Sequence, residues 1–503
     1  MGQKHIKWDF TGDCNLRCKH CSVGNTYFDS KVSELSLEQK LEVVDKLAEG
    51  NIASISFLGG EPLVKGDAFY KVARHAARKN IYVTLVSNGT LMDAESIKKI
   101  FDAGIQTVVL SLEGSTAVPH ESIRGKGTFS RVITNLKKLS KANASRKKPV
   151  CVKINTVVSQ YNKTQISPLF DMLSDLGVDE WAVLSLGPIG YAGKNIEQLW
   201  LTPDEEIQTA VRLAQKWTAV KATPPFKLSP QFIYPLISDY IMDRYGLALP
   251  SPSICCTAAI SMGFISPGGD LFPCDRISGP QYAGKKMGKA PIRPLSLLDH
   301  GFYEIWNDAY YVEMFPFILD PKTYRFYQPC NRCKYFFDRT CNPCPLYSMD
   351  SAVRIPTCEI AAAHLGDISG GNRMSRLGVT FVSDQDKSEV ARADHQDNPF
   401  FQEKRITRRQ GIRTFSDKHQ TILFNPYTVE FIGLNEMGHY LWGLIGKTDS
   451  AETLHRETAM VLDQLVSHWV PLEKRKFISS REMGMNVDAF LSDLKEKGFI
   501  LNS

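Results

Sequence analysis

The 503-residue sequence contains no run approaching the ~18 consecutive apolar residues that a membrane span requires. It also has no apolar signal region at its start. Met1-Gly2-Gln3-Lys4-His5 leads through a short apolar segment, Ile6 to Phe10, straight into cysteines. Ile6 stands where an N-myristoylation signal needs Ser or Thr. The chain is therefore expected to be cytoplasmic, with no membrane partner. Charge of one sign is scarce too: a net +6 on this length neither demands nor excludes a nucleic-acid partner. The rest is ordinary globular composition, 43% hydrophobic and 23% charged, in a chain too long for one compact domain. A reducing compartment makes the twelve cysteines better suited to metal ligation than to disulfides. All but Cys151 crowd into two regions, which favours ligation; Cys151, inside an apolar run, reads as a small buried hydrophobe.

The first cluster is Cys14-Asn15-Leu16-Arg17-Cys18-Lys19-His20-Cys21, a C-x3-C-x2-C trio with no fourth cysteine nearby. A closed zinc site needs four protein ligands, so a trio leaves one position vacant. A 4Fe–4S cube held by three thiolates keeps one iron free to bind something else. An electron passed from that iron into a sulfonium ligand would break a C–S bond and release a carbon radical. On chemistry alone a partial zinc site stays open. The spacing, with His20 before the last cysteine, resembles the radical S-adenosylmethionine (SAM) enzymes. That resemblance implies a SAM-binding cluster on Cys14, Cys18 and Cys21. It also implies reductive cleavage of SAM to methionine and a 5′-deoxyadenosyl radical, with flavodoxin or ferredoxin as electron donor.

From Ile52 to about Leu186, short apolar runs alternate with helical periodicity. Strands are predicted at Ser54–Leu58, Tyr82–Val86, Thr107–Leu112, Val150–Val158 and Trp181–Leu186, and helices at Leu37–Ala48, Ala68–Lys79, Ala94–Ala103, Phe129–Ala142 and Ser167–Leu176. With Ile6–Phe10 this makes an α/β fold of six parallel strands and right-handed crossovers. Periodicity does not separate an open sheet from a barrel; the resemblance implies a partial (β/α)6 barrel over residues 1–200. Ligands of such folds gather at the carboxyl ends of the strands. There lie Gly59-Gly60-Glu61-Pro62, resembling the family's segment for the SAM amino group, and Ser87-Asn88-Gly89-Thr90, resembling its ribose segment. Ser111 joins these cofactor residues, and Glu113 stands where the family more often carries Asp, with no role assigned. His120 to Gly127 resembles the family's H-D-x-x-R-G-x-G and places Arg124 on the SAM carboxylate, where a guanidinium fork fits.

Residues 201–253 match no motif and read as a bridge punctuated by Pro224-Pro225 and Pro250-Ser251-Pro252. The second cysteine constellation follows over 254–365: Cys255, Cys256, Cys274, Cys330, Cys333, Cys341, Cys344 and Cys358. Two C-x2-C pairs could hold zinc. The full order resembles the SPASM extension, which implies two auxiliary 4Fe–4S clusters. Cys256, Cys274 and Cys344 would serve one, with Cys255 or another group as fourth ligand, and Cys330, Cys333, Cys341 and Cys358 the other. The x7 and x2 spacings here differ from the family's usual x5 and x3. Asp275, directly after Cys274, is the candidate catalytic base, by resemblance to sulfatase-maturing members; a hydrogen-bonded turn Asp is the alternative.

Residues 366–410, rich in Gly, Ser and charge, read as a linker. Thr421–Pro426 and Val429–Ile432 predict a hairpin, and Asn435 a helix cap. Together with the closing Phe-Leu-x-x-Leu-x-x-Lys-Gly-Phe-Ile, they resemble the peptide chaperone of pyrroloquinoline quinone biosynthesis. This implies a winged-helix-like α+β domain over 411–503 that holds a leader peptide by adding a strand. A winged-helix DNA reader, helped by Lys404–Arg409, is its rival, and nucleic acid is the lesser expectation. The whole resemblance implies maturation of a ribosomally made precursor peptide, with a C–C or C–S crosslink as the product. Formylglycine formation and peptide epimerisation are the alternatives.

Overall fold

A computed structural model describes residues 4–29, 32–220, 223–252, 254, 256–278, 286–287, 290–291, 294–308, 329–337, 340–341, 344 and 355–369, with five further strands between 406 and 502. The chain forms two compact units, one spanning 3–368 and the other 369–503 together with the first two residues.

The larger unit is built on one sheet. Its strands are β1 (His5–Thr11), β2 (Ser54–Gly59), β3 (Tyr82–Ser87), β4 (Thr107–Ser111), β5 (Cys151–Val157), β6 (Glu180–Leu184), β7 (Lys227–Gln231), β8 (Met262–Ile265) and β9 (Asp270–Phe272). The order runs from the short strand Leu295–Ser296 through β9-β8-β1-β2-β3-β4-β5-β6 to β7. From β8 to β7 every neighbouring pair is parallel, and β9 returns antiparallel beside β8. The six expected strands are all present. The parallel sheet is larger than six, because the 201–265 stretch supplies helix Pro203–Val220, β7, helix Pro235–Tyr245 and β8. The region read as a bridge thus extends the barrel-type sheet. Strand β7 was hidden by Pro230, which has no amide hydrogen; it is tolerated because β7 is the edge strand and pairs only with β6.

Parallel strands are covered on both faces, so they read as nearly continuous apolar runs. Trp8, Phe10, Phe57 and Phe69 accordingly form a ring cluster with centroids 5.3–6.4 Å apart, and all four are fully buried. Burying four such side chains contributes on the order of 10 kcal/mol. Helix Leu37–Glu49 starts where Ser36 and Gln39 form a reciprocal capping box. Asp93 caps Ala94–Asp102 by accepting from the Ser96 amide at 2.8 Å. These caps account for helix starts falling where the sequence pattern places them.

In the smaller unit, Arg413–Ser416, Thr421–Asn425 and Glu430–Leu434 form an antiparallel three-stranded sheet, and Ile406–Arg408 pairs with Ile500–Asn502. The predicted hairpin is there, with Asn425 opposite Glu430. The Asn435 helix cap, most of the 366–410 linker and Cys255 lie outside the described residues.

Candidate active site

The carboxyl ends of β1 to β6 surround a cavity of about 330 Å³. It is lined by Cys14, Cys18, His20 and Cys21 beyond β1, Gly59 and Gly60 at β2, Ser87 and Asn88 at β3, Ser111 at β4, and Arg124. Asp9, Asp275 and Arg276 complete its wall. With the exception of Glu61, every residue expected to hold the first cluster or SAM reaches this one space.

The three thiols are unpaired in any disulfide. Burial pushes Cys14 up to about 11 and Cys21 up to about 12, so as isolated thiols they would stay protonated and unreactive at neutral pH. Hydrogen-bond donors nevertheless face their sulfurs. The Leu16 amide lies 3.4 Å from Cys14 Sγ, Arg124 Nη1 3.8 Å from Cys18 Sγ and Asn88 Nδ2 4.0 Å from Cys14 Sγ. Donors aimed at buried sulfurs suit thiolates neutralised by iron, so the donor set fits a cluster.

The paired glycines have a structural task of their own. The Gly60 and Glu61 amides donate to the Thr11 and Asp13 carbonyls at 2.8 Å each, fastening the end of β2 to the cysteine loop. Gly59 adopts φ +114°, and a Cβ on Gly60 would sit 2.0 Å from the Asp13 carbonyl oxygen. Only glycine permits that approach. Gly60→Ala is therefore expected to displace the cysteine loop, costing about 1–3 kcal/mol. Iron content after anaerobic reconstitution would fall by about one cube's worth, and unchanged iron would refute the clash.

Two of the expected SAM-contacting residues have partners within the protein. Glu61 does not line the cavity. It is fully buried, and its carboxyl accepts from Ser87 Oγ (2.9 Å), the Asn88 amide (2.7 Å) and the Leu63 amide (3.1 Å), so it positions the β3 end instead of facing an ammonium group. Burial pushes it up to about 7 despite these donors. Arg124 does not present an open fork either. Its Nε and Nη2 both donate to Glu113 Oε1, at 2.8 and 2.5 Å, leaving Nη1 toward Cys18. The Nε–Nη2 edge is thus engaged by Glu113, while Arg124 still lines the cavity.

Glu113, given no role by the sequence, is the hub of the site. It is fully buried and also meets His20 Nε2 at 3.1 Å and the Val157 amide at 2.9 Å. Burial would push its carboxyl up, but Arg124 and then His20 outweigh that and hold it at about 2. The signal available was a carboxylate two residues past a mostly buried strand, which must find a partner. Asp9 was missed in the same way, sitting inside the apolar run Ile6–Phe10. It is buried, accepts from the Tyr27 hydroxyl, and is raised to about 7 by burial.

Asn88 ties the loop as well: Nδ2 donates to Asn15 Oδ1 at 2.9 Å while Oδ1 accepts from the Thr90 amide at 2.9 Å. Asp275 faces the cavity with Lys7 Nζ 3.3 Å away and the Cys274 thiol 3.6 Å away. Burial raises this carboxyl, but Lys7 and then Arg276 hold it below its ordinary value, so it is a carboxylate at neutral pH. Among the remaining cysteines, Cys358 feels the charges of Cys341, Cys330 and Cys333, and Cys274 that of Cys256. Cys344 lies instead on the wall of a second, apolar cavity.

A parallel α/β sheet that gathers a C-x3-C-x2-C trio at its carboxyl end is of the radical SAM type, and the Radical SAM superfamily profile matches residues 8–173. The protein is a radical SAM enzyme, using SAM and a 4Fe–4S cluster. It is related to SPASM-type maturases and to heme synthases. The AdoMet-dependent heme synthase of Methanosarcina barkeri is 27% identical over 66% of this chain and 88% of its own. The PqqA peptide cyclase of Rhodopseudomonas palustris is 25% identical over 71% of this chain and 86% of its own. The crystal structure of Streptococcus suis SuiB bound to S-adenosylmethionine superposes with a TM-score of 0.53 and 16% identity, covering 71% of this chain and 77% of that one, which is a likeness of fold. No helix among the described residues is long and apolar enough to cross a membrane.

Proposed function

We propose that this enzyme matures a ribosomally made precursor peptide, forming a C–C or C–S crosslink. The observation carrying this reading is Asp275, a carboxylate held charged by Lys7 on the wall of the cavity that holds Cys14, Cys18, Cys21 and Arg124. The relationship to a PqqA peptide cyclase supports a peptide substrate.

Cys14, Cys18 and Cys21 would hold the SAM-binding cluster, with Gly59, Gly60, Ser87, Asn88, Ser111 and His20 around SAM. Cys256 and Cys274 would hold one auxiliary cluster and Cys330, Cys333, Cys341 and Cys358 another. When bound, the first cluster and SAM supply a 5′-deoxyadenosyl radical that takes a hydrogen atom from the substrate. A crosslink also releases one proton and one electron: Asp275 would accept the proton from the group that closes the new bond, and an auxiliary cluster held by Cys256 and Cys274 would supply the one-electron acceptor. Lys7 keeps that carboxylate ionised and turned to the cavity. Glu113, buried behind the cavity wall, fixes Arg124 in place there, so that charge needs no reorganisation during reaction. The three-stranded sheet at 413–434 would receive the leader by strand addition at an edge.

The relationship to heme synthases gives a rival reading, a heme-related substrate. Co-expression with the short reading frame beside its gene, followed by mass spectrometry, separates the two. The expected result is a peptide two hydrogens lighter; an unmodified peptide together with turnover of a heme precursor would overturn the reading. Asp275→Asn is expected to lower peptide modification by about 10²–10⁴-fold while substrate-free release of 5′-deoxyadenosine persists. Equal loss of both would place Asp275 in SAM binding instead.

A further inference from the structure

Beyond β6 and β7 lies a second cavity of about 280 Å³. It shares Ser185 and Leu186 with the cavity that holds the cysteine trio, so the two adjoin. Its wall is mostly apolar, with Leu201, Phe232, Ile233 and Ile355 among the contributors. Mostly apolar walls with a few placed polar groups are the usual make-up of a small-molecule or side-chain site.

Among the described residues the one charged side chain on that wall is Glu206. Among the described residues its carboxyl has no hydrogen bond and no ion pair. Its neighbour Glu205 is fully engaged, with Lys163, Gln160 and the Thr202 amide. An acid in a helix's first turn often does no more than favour the helix dipole. Asp204 and Glu205 already fill that role at the start of Pro203–Val220, and neither lines the cavity. Glu206 is half-buried on that wall, and burial pushes its carboxyl up to about 7. An uncompensated carboxyl in an apolar enclosure has a cost that a cationic partner would remove.

We infer that this cavity is a substrate subsite for a side chain with an apolar stem and a protonated nitrogen at its tip, the stem lying along Leu201, Phe232 and Ile233 and the nitrogen meeting Glu206. The volume admits one such side chain. The opening at Ser185 and Leu186 lets the backbone that carries it pass the radical-generating cavity. A neighbour of the reacting residue is thereby anchored, which fixes the distance to the hydrogen removed. The subsite deepens the peptide reading and rests on it only in taking its occupant to be part of the substrate.

The test uses full-length, anaerobically reconstituted protein and hexylamine, hexanol and hexanoate as probes, followed by isothermal titration at pH 8. Hexylamine should bind at least about tenfold more tightly than hexanol, a difference of roughly 1.4 kcal/mol, with hexanoate weakest. Glu206→Gln should bring hexylamine to the level of hexanol. Glu206→Ala serves as a second variant should the amide disturb the helix start. Substrate-free 5′-deoxyadenosine release should stay unchanged in both variants, showing intact folds. Equal affinity for amine and alcohol, or a preference surviving both substitutions, would overturn the subsite. An amine preference that depends on Glu206, in a protein that modifies no peptide, would leave the subsite standing and remove the peptide reading alone.

Discussion

Simultaneous replacement of Cys14, Cys18 and Cys21 by alanine is expected to abolish dithionite-dependent release of 5′-deoxyadenosine from SAM, a drop of at least about 10³-fold. The reason is local. All three cysteines line one cavity, donors from Leu16 and Asn88 are aimed at Cys14 and one from Arg124 at Cys18, and among the described residues only these three cysteines lie there. No other described cysteine lines that cavity, so none offers a substitute. The variant should keep its remaining iron, about two cubes of the three proposed if both auxiliary sets are loaded. Persistent SAM cleavage in a protein stripped of the trio would remove the basis of the whole reading. Loss of all iron would instead show that the trio nucleates the fold of the other sites.

The second large effect is expected at a residue outside the family's cysteine pattern. Glu113→Gln should destabilise the larger unit by about 3–5 kcal/mol, because it leaves the Arg124 guanidinium buried without its counter-charge. Both side chains are almost wholly enclosed, Glu113 at 0% and Arg124 at 10% exposure, so solvent screening does not soften the loss. Chemical denaturation followed by tryptophan fluorescence would read it, and Trp8 and Trp181, both fully buried, are suitable reporters. The pH dependence follows the same pair. Glu113 is held at about 2 when folded, against an ordinary carboxyl value of ~4.3 when unfolded. Its contribution is therefore fully present above the unfolded value and is lost as pH falls toward 2. The wild type should lose stability over that window, and Glu113→Gln should lose less. A variant as stable as the wild type, with the same acid limb, would show that the pair is replaceable.

Cluster loading is expected to depend on Glu113 too. Its hold on Arg124 directs Nη1 to Cys18, and its hold on His20 positions the residue just before Cys21. Glu113→Asp, which keeps the charge on a shorter stem, should restore stability in part.

Several features of this protein were determined by the sequence alone. The cysteine trio, the alternation of apolar runs with helical periodicity, and the motifs at Gly59, Ser87 and Arg124 are local signals, each set by residues within a few positions of one another. Local chemistry is what a linear reading can weigh: strand and helix periods, a ligand spacing of three and two. The tertiary structure decided the partnerships. It turned Glu61 inward onto Ser87 and Asn88, closed the Arg124 fork on Glu113, and brought Asp9 and Asp275 to one wall with Lys7 bonded to Asp275, from positions more than 260 residues apart. It also drew Lys227–Gln231 into the sheet despite Pro230, because an edge position asks for only one set of hydrogen bonds. A buried charge must be matched by whatever lies across the packed interior, and that neighbour can be a hundred or more residues away along the chain.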